Sequence, residues 1–351
     1  MNHETPPPFA SMSEIRQDPL LGRWVIVATN RMRRPNAFAR AGAAPPEPER
    51  DPFAEGNEHL TPPEIQAIRA PGARANGPGW KARVVPNRFP VLRIEGALDR
   101  EGEGLYDRIS GIGAHEVVIE TPKAGQMLEE LPLDHIAAVI GLWRARITDL
   151  LKDARFRYIL VFKNHGWQAG ATLSHSHSQI IALPVTPKAI KEKLAGALAY
   201  YEQKERNIFA DILRQELKDG RRIVDQNGAF VCFCPYAARF PFEICVMPRR
   251  QNPEFHRIGD DELLPLADAL KSSLLRLRAG LDRPQYNVIL HTAPARFPKR
   301  GYWSTLDQDF RWHLEITPRL TQIAGFEMGT GFYVNPVMPE EAARFLKEVE
   351  V

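Results

Sequence analysis

Cysteine is scarce in this chain. Three occur, Cys232, Cys234 and Cys245, too few for a disulfide framework and in keeping with a reducing cytoplasm. No apolar run approaches the roughly 20 residues of a membrane span, so a membrane is not an expected partner. The opening MNHETPPPFASMSEIRQ has no apolar core of the kind a secretion signal needs. Charge of one sign is lacking too: 46 basic residues face 43 acidic ones, a net +3. With no basic tract either, nucleic acid is not an expected partner. Proline is abundant by contrast, 30 in 351 residues, which implies many strand ends and loops rather than long bundles. That length allows one large domain or two ordinary ones.

What is present is a pattern that occurs twice. ARVVPNRFPVL (82–92) and AHEVVIETP (114–122) read as strands closed by proline. Over 132–153, Ile136, Val139, Ile140, Trp143, Ile147 and Leu150 fall on one helical stripe. FRYILVFKN is the next strand, followed by the loop HGWQAGATL and then SHSHSQIIALP. A long helical stretch is expected over 187–218. The order then returns: AFVCFCPYAARFP, FEICVMP, a helix over 261–281, QYNVILHTAP and RWHLEITPRL. Glu116 to Glu243 is an offset of 127 residues, and His177 to His313 one of 136. The chain therefore reads as a duplicated strand-strand-helix-strand-loop-strand unit of α+β class. Two tandem halves are expected, 1–195 and 196–351, each an antiparallel sheet covered by helices.

The stretch ATLSHSHSQIIALP (171–184) carries the chemistry. Side chains alternate along a strand, so His175, His177 and Gln179 share one face while Ser174, Ser176 and Ser178 share the other. Gly166 and Gly170 form a loop whose backbone amides suit a phosphate, and Thr172 adds a hydroxyl donor. A neutral imidazole is a competent nucleophile toward phosphorus. A His-x-His pair taken alone equally suits a metal or a structural role. The ordered combination Asn164-x-Gly166, Gly170-x-Thr172 and His-Ser-His-Ser-Gln is what gives specificity.

That combination resembles the transferase branch of the histidine-triad superfamily, the galactose-1-phosphate uridylyltransferases and the related ADP-glucose phosphorylase type. The resemblance covers nearly the whole chain, from EIRQDPLLGRWVIVATNRMRRP through VVPNRFPVL and HEVVIETP to ITPRLTQIAGFEMGTGFYVNP. The two-halved fold is also what it implies. It assigns His177 as the nucleophile that becomes nucleotidylated, with Gln179 and Thr172 holding the transferred phosphate. It places Asn164 near the nucleotide, Gly170 where backbone approaches phosphate, and Asn87 and Arg88 on the ribose side. Arg31 and Arg34 are expected to meet the sugar phosphate, and Phe326 and Glu327 the hexose. His175, the position that serves as a zinc ligand in relatives that keep zinc, is grouped here with the nucleotide and phosphate contacts, bracing the loop under the site.

The zinc pattern is broken here. DPFAEGNE places Asp51 and Ala54 where a cysteine pair is expected, and Ala124 stands at the usual histidine position. RNIFADIL likewise puts Asn207 and Ala210 at a second cysteine pair. Tetrahedral zinc needs about four nitrogen or sulfur ligands, so no metal or other cofactor is expected. A harder metal near Asp51, Glu55 and Glu58 is left open. The substrates implied are a nucleotide sugar with a sugar phosphate or inorganic phosphate, and a homodimer is admitted. Uridylyl transfer between UDP-glucose and galactose 1-phosphate is the leading expectation. Adenylyl transfer from an ADP-sugar to phosphate is the alternative, and a non-catalytic nucleotide-binding protein the third. Gln179 argues against a dinucleotide hydrolase.

Overall fold

The computed structural model describes residues 13–29, 49–297 and 301–351. In chain order the elements are β1 (Glu14–Gln17), β2 (Trp24–Val27), β3 (Gln66–Arg69), β4 (Trp80–Pro86), β5 (Arg100–Glu103), β6 (Tyr106–Ile109), β7 (Ala114–Ile119), α1 (Leu133–Leu150), β8 (Tyr158–His165) and β9 (His177–Leu183). There follow α2 (Lys188–Lys204), α3 (Ile208–Asp219), β10 (Ile223–Gln226), β11 (Phe230–Phe233), β12 (Ile244–Pro248), α4 (Asp260–Gly280) and β13 (Tyr286–His291). The last are α5 (Leu306–Asp309), β14 (His313–Pro318), α6 (Gly325–Thr330), β15 (Tyr333–Asn335) and α7 (Pro339–Glu348).

The duplication is real, but the halves do not keep separate sheets. They share one ten-stranded sheet of order β10-β11-β12-β14-β13-β8-β9-β7-β4-β3. Each half contributes five strands, and the halves meet where β8 and β13 pair antiparallel. Joining two sheets at that edge gives the exposed backbone groups of both strands partners. All pairings in the large sheet are antiparallel. A small sheet, β1-β2-β15, ties the first strands of the chain to its last.

Helices α1 and α4 pack together over one face of the sheet. The stripe read from sequence is the buried one: Ile136, Val139, Ile140, Trp143, Ile147 and Leu150 join Val84, Val118, Val161 and Ile180 in the main core. Trp143 donates its indole N–H to Ser178 Oγ at 2.8 Å, so the small serine face of β9 admits the largest side chain of α1. On the opposite face, α2 and α3 cover the second half with Ile190, Leu194, Phe209 and Leu213. Phe53, Trp80, Val85, Val117 and Ile119 form a smaller cluster on the first half.

Three details differ from the sequence reading. The helical stretch 187–218 is two helices, broken at Glu205 in the left-handed region (φ 52°) and restarted by Asn207, whose Oδ1 accepts from Ala210 N. The boundary at 195/196 falls inside α2. The internal match is also shifted by one residue on one strand. Val117 pairs with Gln179 and Cys245 with Glu315, so Glu243 occupies the place of His115 rather than that of Glu116. Among the described residues, no helix is long and apolar enough to cross a membrane.

Candidate active site

β9 begins at His177; His175 lies just before it. The His177 ring is buried, and its Nδ1 lies 2.7 Å from the His175 carbonyl. A carbonyl only accepts, so Nδ1 carries the proton and Nε2 keeps its lone pair. Burial, first among the causes, lowers the His177 pKa to about 4. The ring is therefore neutral at neutral pH, with its Nε2 lone pair available. Phe53 stands edge-on to it, with ring centroids 5.3 Å apart.

His175 holds this geometry from behind. Its Nε2 lies 2.8 Å from Thr121 O, and its Nδ1 lies 2.6 Å from Asp51 Oδ2. One proton lies between ring and carboxylate, and the other nitrogen donates to the carbonyl. Asp51 Oδ1 also accepts from Phe53 N at 2.9 Å. The loop that carries Phe53 is thereby tied to the residue whose carbonyl orients His177. Glu55 and Glu58 are used elsewhere: Glu55 accepts from Gly79 N, and Glu58 from Gly56 N and the Trp80 indole.

Gln179 lies on the same face as His177. His115 Nε2 is 2.7 Å from Gln179 Oε1, and Val91 N donates to His115 Nδ1 at 3.3 Å. A ring that accepts at Nδ1 donates from Nε2, which leaves the Gln179 NH2 group free to donate to a ligand. Asn87 is beside it; its Oδ1 accepts from Phe89 N, and its Nδ2 lies 3.1 Å from His115 Nε2. Arg88 is exposed, with its guanidinium 5.8 Å from the Phe89 ring centre.

The glycine loop departs from expectation. The amides of Ala169, Gly170 and Ala171 donate to Gly166 O, Trp167 O and Gly166 O. They close the loop on itself and are not open to phosphate. Gly166 has φ 83°, and a Cβ there would fall 2.4 Å from Gln285 Cγ. Gly170 has φ 91°, and its Cβ would come within 3.3 Å of Asn164 Nδ2. The second half steadies this loop: Asn287 Nδ2 donates to Asn164 Oδ1 and to Ala169 O, both at 2.8 Å. Thr172 is exposed at the loop's end.

Arg31 and Arg34 lie outside the described residues. Phe326 is exposed on α6, and the Glu327 carboxylate caps its own helix by accepting from Ala324 N. Sequence reasoning did not single out His115, Lys163, Glu120 or Asn287. The signal for His115 and Glu120 lay within HEVVIETP; Lys163 gave none, being one lysine at the polar end of a mostly apolar strand. Its Nζ donates to Glu120 Oε2 (2.6 Å), Ser176 Oγ (2.9 Å) and His177 O (3.1 Å).

A buried neutral imidazole with one nitrogen locked and the other open, beside an oriented amide donor, is an arrangement chemically competent for nucleophilic transfer at phosphorus. Residues 8–187 match the family model of the galactose-1-phosphate uridyl transferase N-terminal domain, and residues 123–349 match a domain of unknown function, DUF4921. An ADP-glucose phosphorylase of Arabidopsis thaliana is 34% identical over 96% of this chain and 93% of its own. A galactose-1-phosphate uridylyltransferase of Thermotoga maritima is 28% identical over 97% and 99%. The crystal structure of an Arabidopsis ADP-glucose phosphorylase with bound ADP-glucose superposes with a TM-score of 0.81 over 97% of this chain and 99% of that one. The chain belongs to the galactose-1-phosphate uridyl transferase family, and it is a nucleotidyltransferase.

Proposed function

We propose that the protein moves a nucleoside monophosphate from an ADP-sugar to inorganic phosphate through a covalent intermediate on His177. The observation that carries the chemistry is the His177 ring, with Nδ1–H held by His175 O and Nε2 open. Nε2 attacks the α-phosphorus. The N–P bond forms as the bond from phosphorus to the bridging oxygen breaks, and the sugar phosphate leaves with that electron pair. Nδ1 keeps its proton and goes on donating it to the His175 carbonyl, so the charged ring of the adduct is stabilised where it forms. A phosphate oxygen then attacks the same phosphorus, and the electron pair returns to Nε2. Gln179 and Thr172 donate to the transferred phosphate. Asn87, Arg88 and Asn164 serve the nucleoside, and Arg31, Arg34, Phe326 and Glu327 the sugar phosphate.

The adenylyl reading is supported by the higher identity to the phosphorylase, 34% against 28%. Uridylyl transfer to galactose 1-phosphate is the second reading, supported by the near-complete coverage of the Thermotoga enzyme. Incubation with α-labelled ADP-glucose and UDP-glucose distinguishes them. Acid-labile label from ADP-glucose, chased off by inorganic phosphate, is the expected result. Label taken only from UDP-glucose and released by galactose 1-phosphate would establish the second reading. No label from any nucleotide sugar would sink both. Unpaired, buried Cys232, Cys234 and Cys245 suit a cytoplasmic setting, and exposed Phe89, Val91, Leu105 and Tyr106 suit a homodimer contact.

Adduct formation is expected to be insensitive to pH from about 8 down to about 5. Protonation of Nε2 removes the lone pair, so the rate falls as pH drops through the lowered His177 value of about 4. A fall centred near 6.5, the ordinary histidine value, in single-turnover labelling would contradict the buried ring.

Zinc is not part of this reading. At the positions where the resemblance implies zinc ligands, Ala54 and Ala124 offer none, and both nitrogens of His175 are engaged by Asp51 and Thr121 O. Activity and melting temperature are expected to be unchanged after exhaustive chelation. One tightly bound zinc per chain, with activity lost on its removal, would overturn this.

A further inference from the structure

The symmetry of the sheet places a second strand in the position of the catalytic one. Phe162 and Ile289 face each other across the junction of the two halves, and Phe162 pairs with Gln179 as Ile289 pairs with Glu315. Glu315 therefore stands where Gln179 stands, and His313 where His177 stands. The local geometry repeats as well. His313 Nδ1 lies 3.0 Å from Arg311 O, two residues back, as His177 Nδ1 lies 2.7 Å from His175 O. Phe209 flanks His313 with ring centroids 5.4 Å apart, as Phe53 flanks His177 at 5.3 Å. A cavity of about 880 Å³ adjoins His313 and Glu315.

What differs is the group that meets the open nitrogen. Lys193 Nζ, from α2, lies 2.9 Å from His313 Nε2 and 2.6 Å from Glu315 Oε1. His291 Nε2 lies 3.1 Å from Glu315 Oε2, and its ring stacks on His313 at 4.9 Å. One ligand atom from each of His291, His313 and Glu315 lies within 4.8 Å of the other two. Two imidazoles and a carboxylate converging in this way are a donor set for a divalent transition metal. Arg239 also bonds Glu315, at 2.7 Å, but it shares its charge with Glu243 at 2.9 Å. Lys193 is the cation that bridges the imidazole and the carboxylate.

We propose that the Lys193 ammonium takes the place of a divalent cation at the His291–His313–Glu315 cluster and keeps metal out of the second half. An ammonium buried beside an imidazole acceptor and a carboxylate satisfies both without any ion from solution. It also takes up the His313 Nε2 lone pair, so the second strand has no nucleophile to present to its cavity. This inference does not depend on which nucleotide the first half uses.

The test compares the full-length protein with Lys193→Ala, Lys193→Gln and Lys193→Ala/His291→Ala. Each is dialysed against Co²⁺, the bound metal is counted and the visible spectrum recorded. Wild type is expected to hold no cobalt that depends on His291. Lys193→Ala is expected to gain one equivalent with ligand-field absorption of low symmetry, and the double variant to lose it. Nucleotide labelling at His177 reports that the first half is intact in each. Lys193→Gln keeps the side-chain length without the charge and covers the case in which the alanine variant fails to fold; it too should gain cobalt. A folded Lys193 variant that takes up no metal, or wild type with one His291-dependent equivalent, overturns the proposal.

Discussion

His177→Ala is expected to abolish both half-reactions and the acid-labile nucleotide adduct. Nothing else on the strand can replace it. The neighbouring histidine is fully engaged, with Nδ1 on Asp51 and Nε2 on Thr121 O, so it has no lone pair to offer. Deleting the nucleophile of a covalent enzyme costs turnover on the order of 10⁶-fold. His175→Asn should behave differently. His177 is oriented by the His175 backbone carbonyl, not by its ring, so the adduct should still form, more slowly, as the Asp51 loop and Phe53 loosen. The check is an acid-quenched single turnover with labelled nucleotide, followed by peptide mapping. Label on His175, or turnover by His177→Ala, would remove His177 from the mechanism.

Lys163→Met is expected to be the most destabilising single change near the site. Lys163 and Glu120 are both almost completely buried. Methionine preserves much of the side-chain volume but leaves the Glu120 carboxylate with only the Ser176 hydroxyl at 2.7 Å. Removing one partner of a buried ion pair typically costs about 3–5 kcal/mol, which corresponds to a fall in Tm of roughly 10 °C. The same change removes the donor to His177 O, so turnover should fall as well. Adding Glu120→Gln removes the stranded charge and should restore most of the stability. Denaturant titration of the single and double variants measures this. A Lys163→Met protein as stable as its parent would show that the pair adds nothing.

Much of the architecture follows from local pattern. The six apolar positions of α1 recur at helical spacing, and all six are buried. The alternation of His177, Ser178 and Gln179 fixed which side chains face the site, because strand geometry leaves no other choice; Ser178 accordingly turns to Trp143. Proline closed several of the strands at the places read from sequence. The duplication was visible as a repeated order of elements. The broken zinc-ligand pattern at Asp51, Ala54 and Ala124 needed no coordinates either.

The tertiary structure decided everything that depends on residues far apart in the chain. The contact of His175 with Asp51 spans 124 positions, that of His115 with Gln179 spans 64, and that of Lys163 with Glu120 spans 43. No local propensity encodes such pairs; they exist because sheet register brings their strands side by side. Register also corrected the internal alignment, since one residue of slip moves a side chain to the other face, and it set Glu243 rather than Phe242 in the place of His115. The glycine loop read as a phosphate cradle because its composition permits that. The amides of Ala169, Gly170 and Ala171 instead close on the loop's own carbonyls, since a folded loop must satisfy its backbone donors when no ligand does so. Lys193 is the clearest case. In the sequence it is one lysine among the polar positions of a helix. Only the packing of α2 across the second half turns its ammonium toward His313 and Glu315, where burial makes a bridging cation necessary.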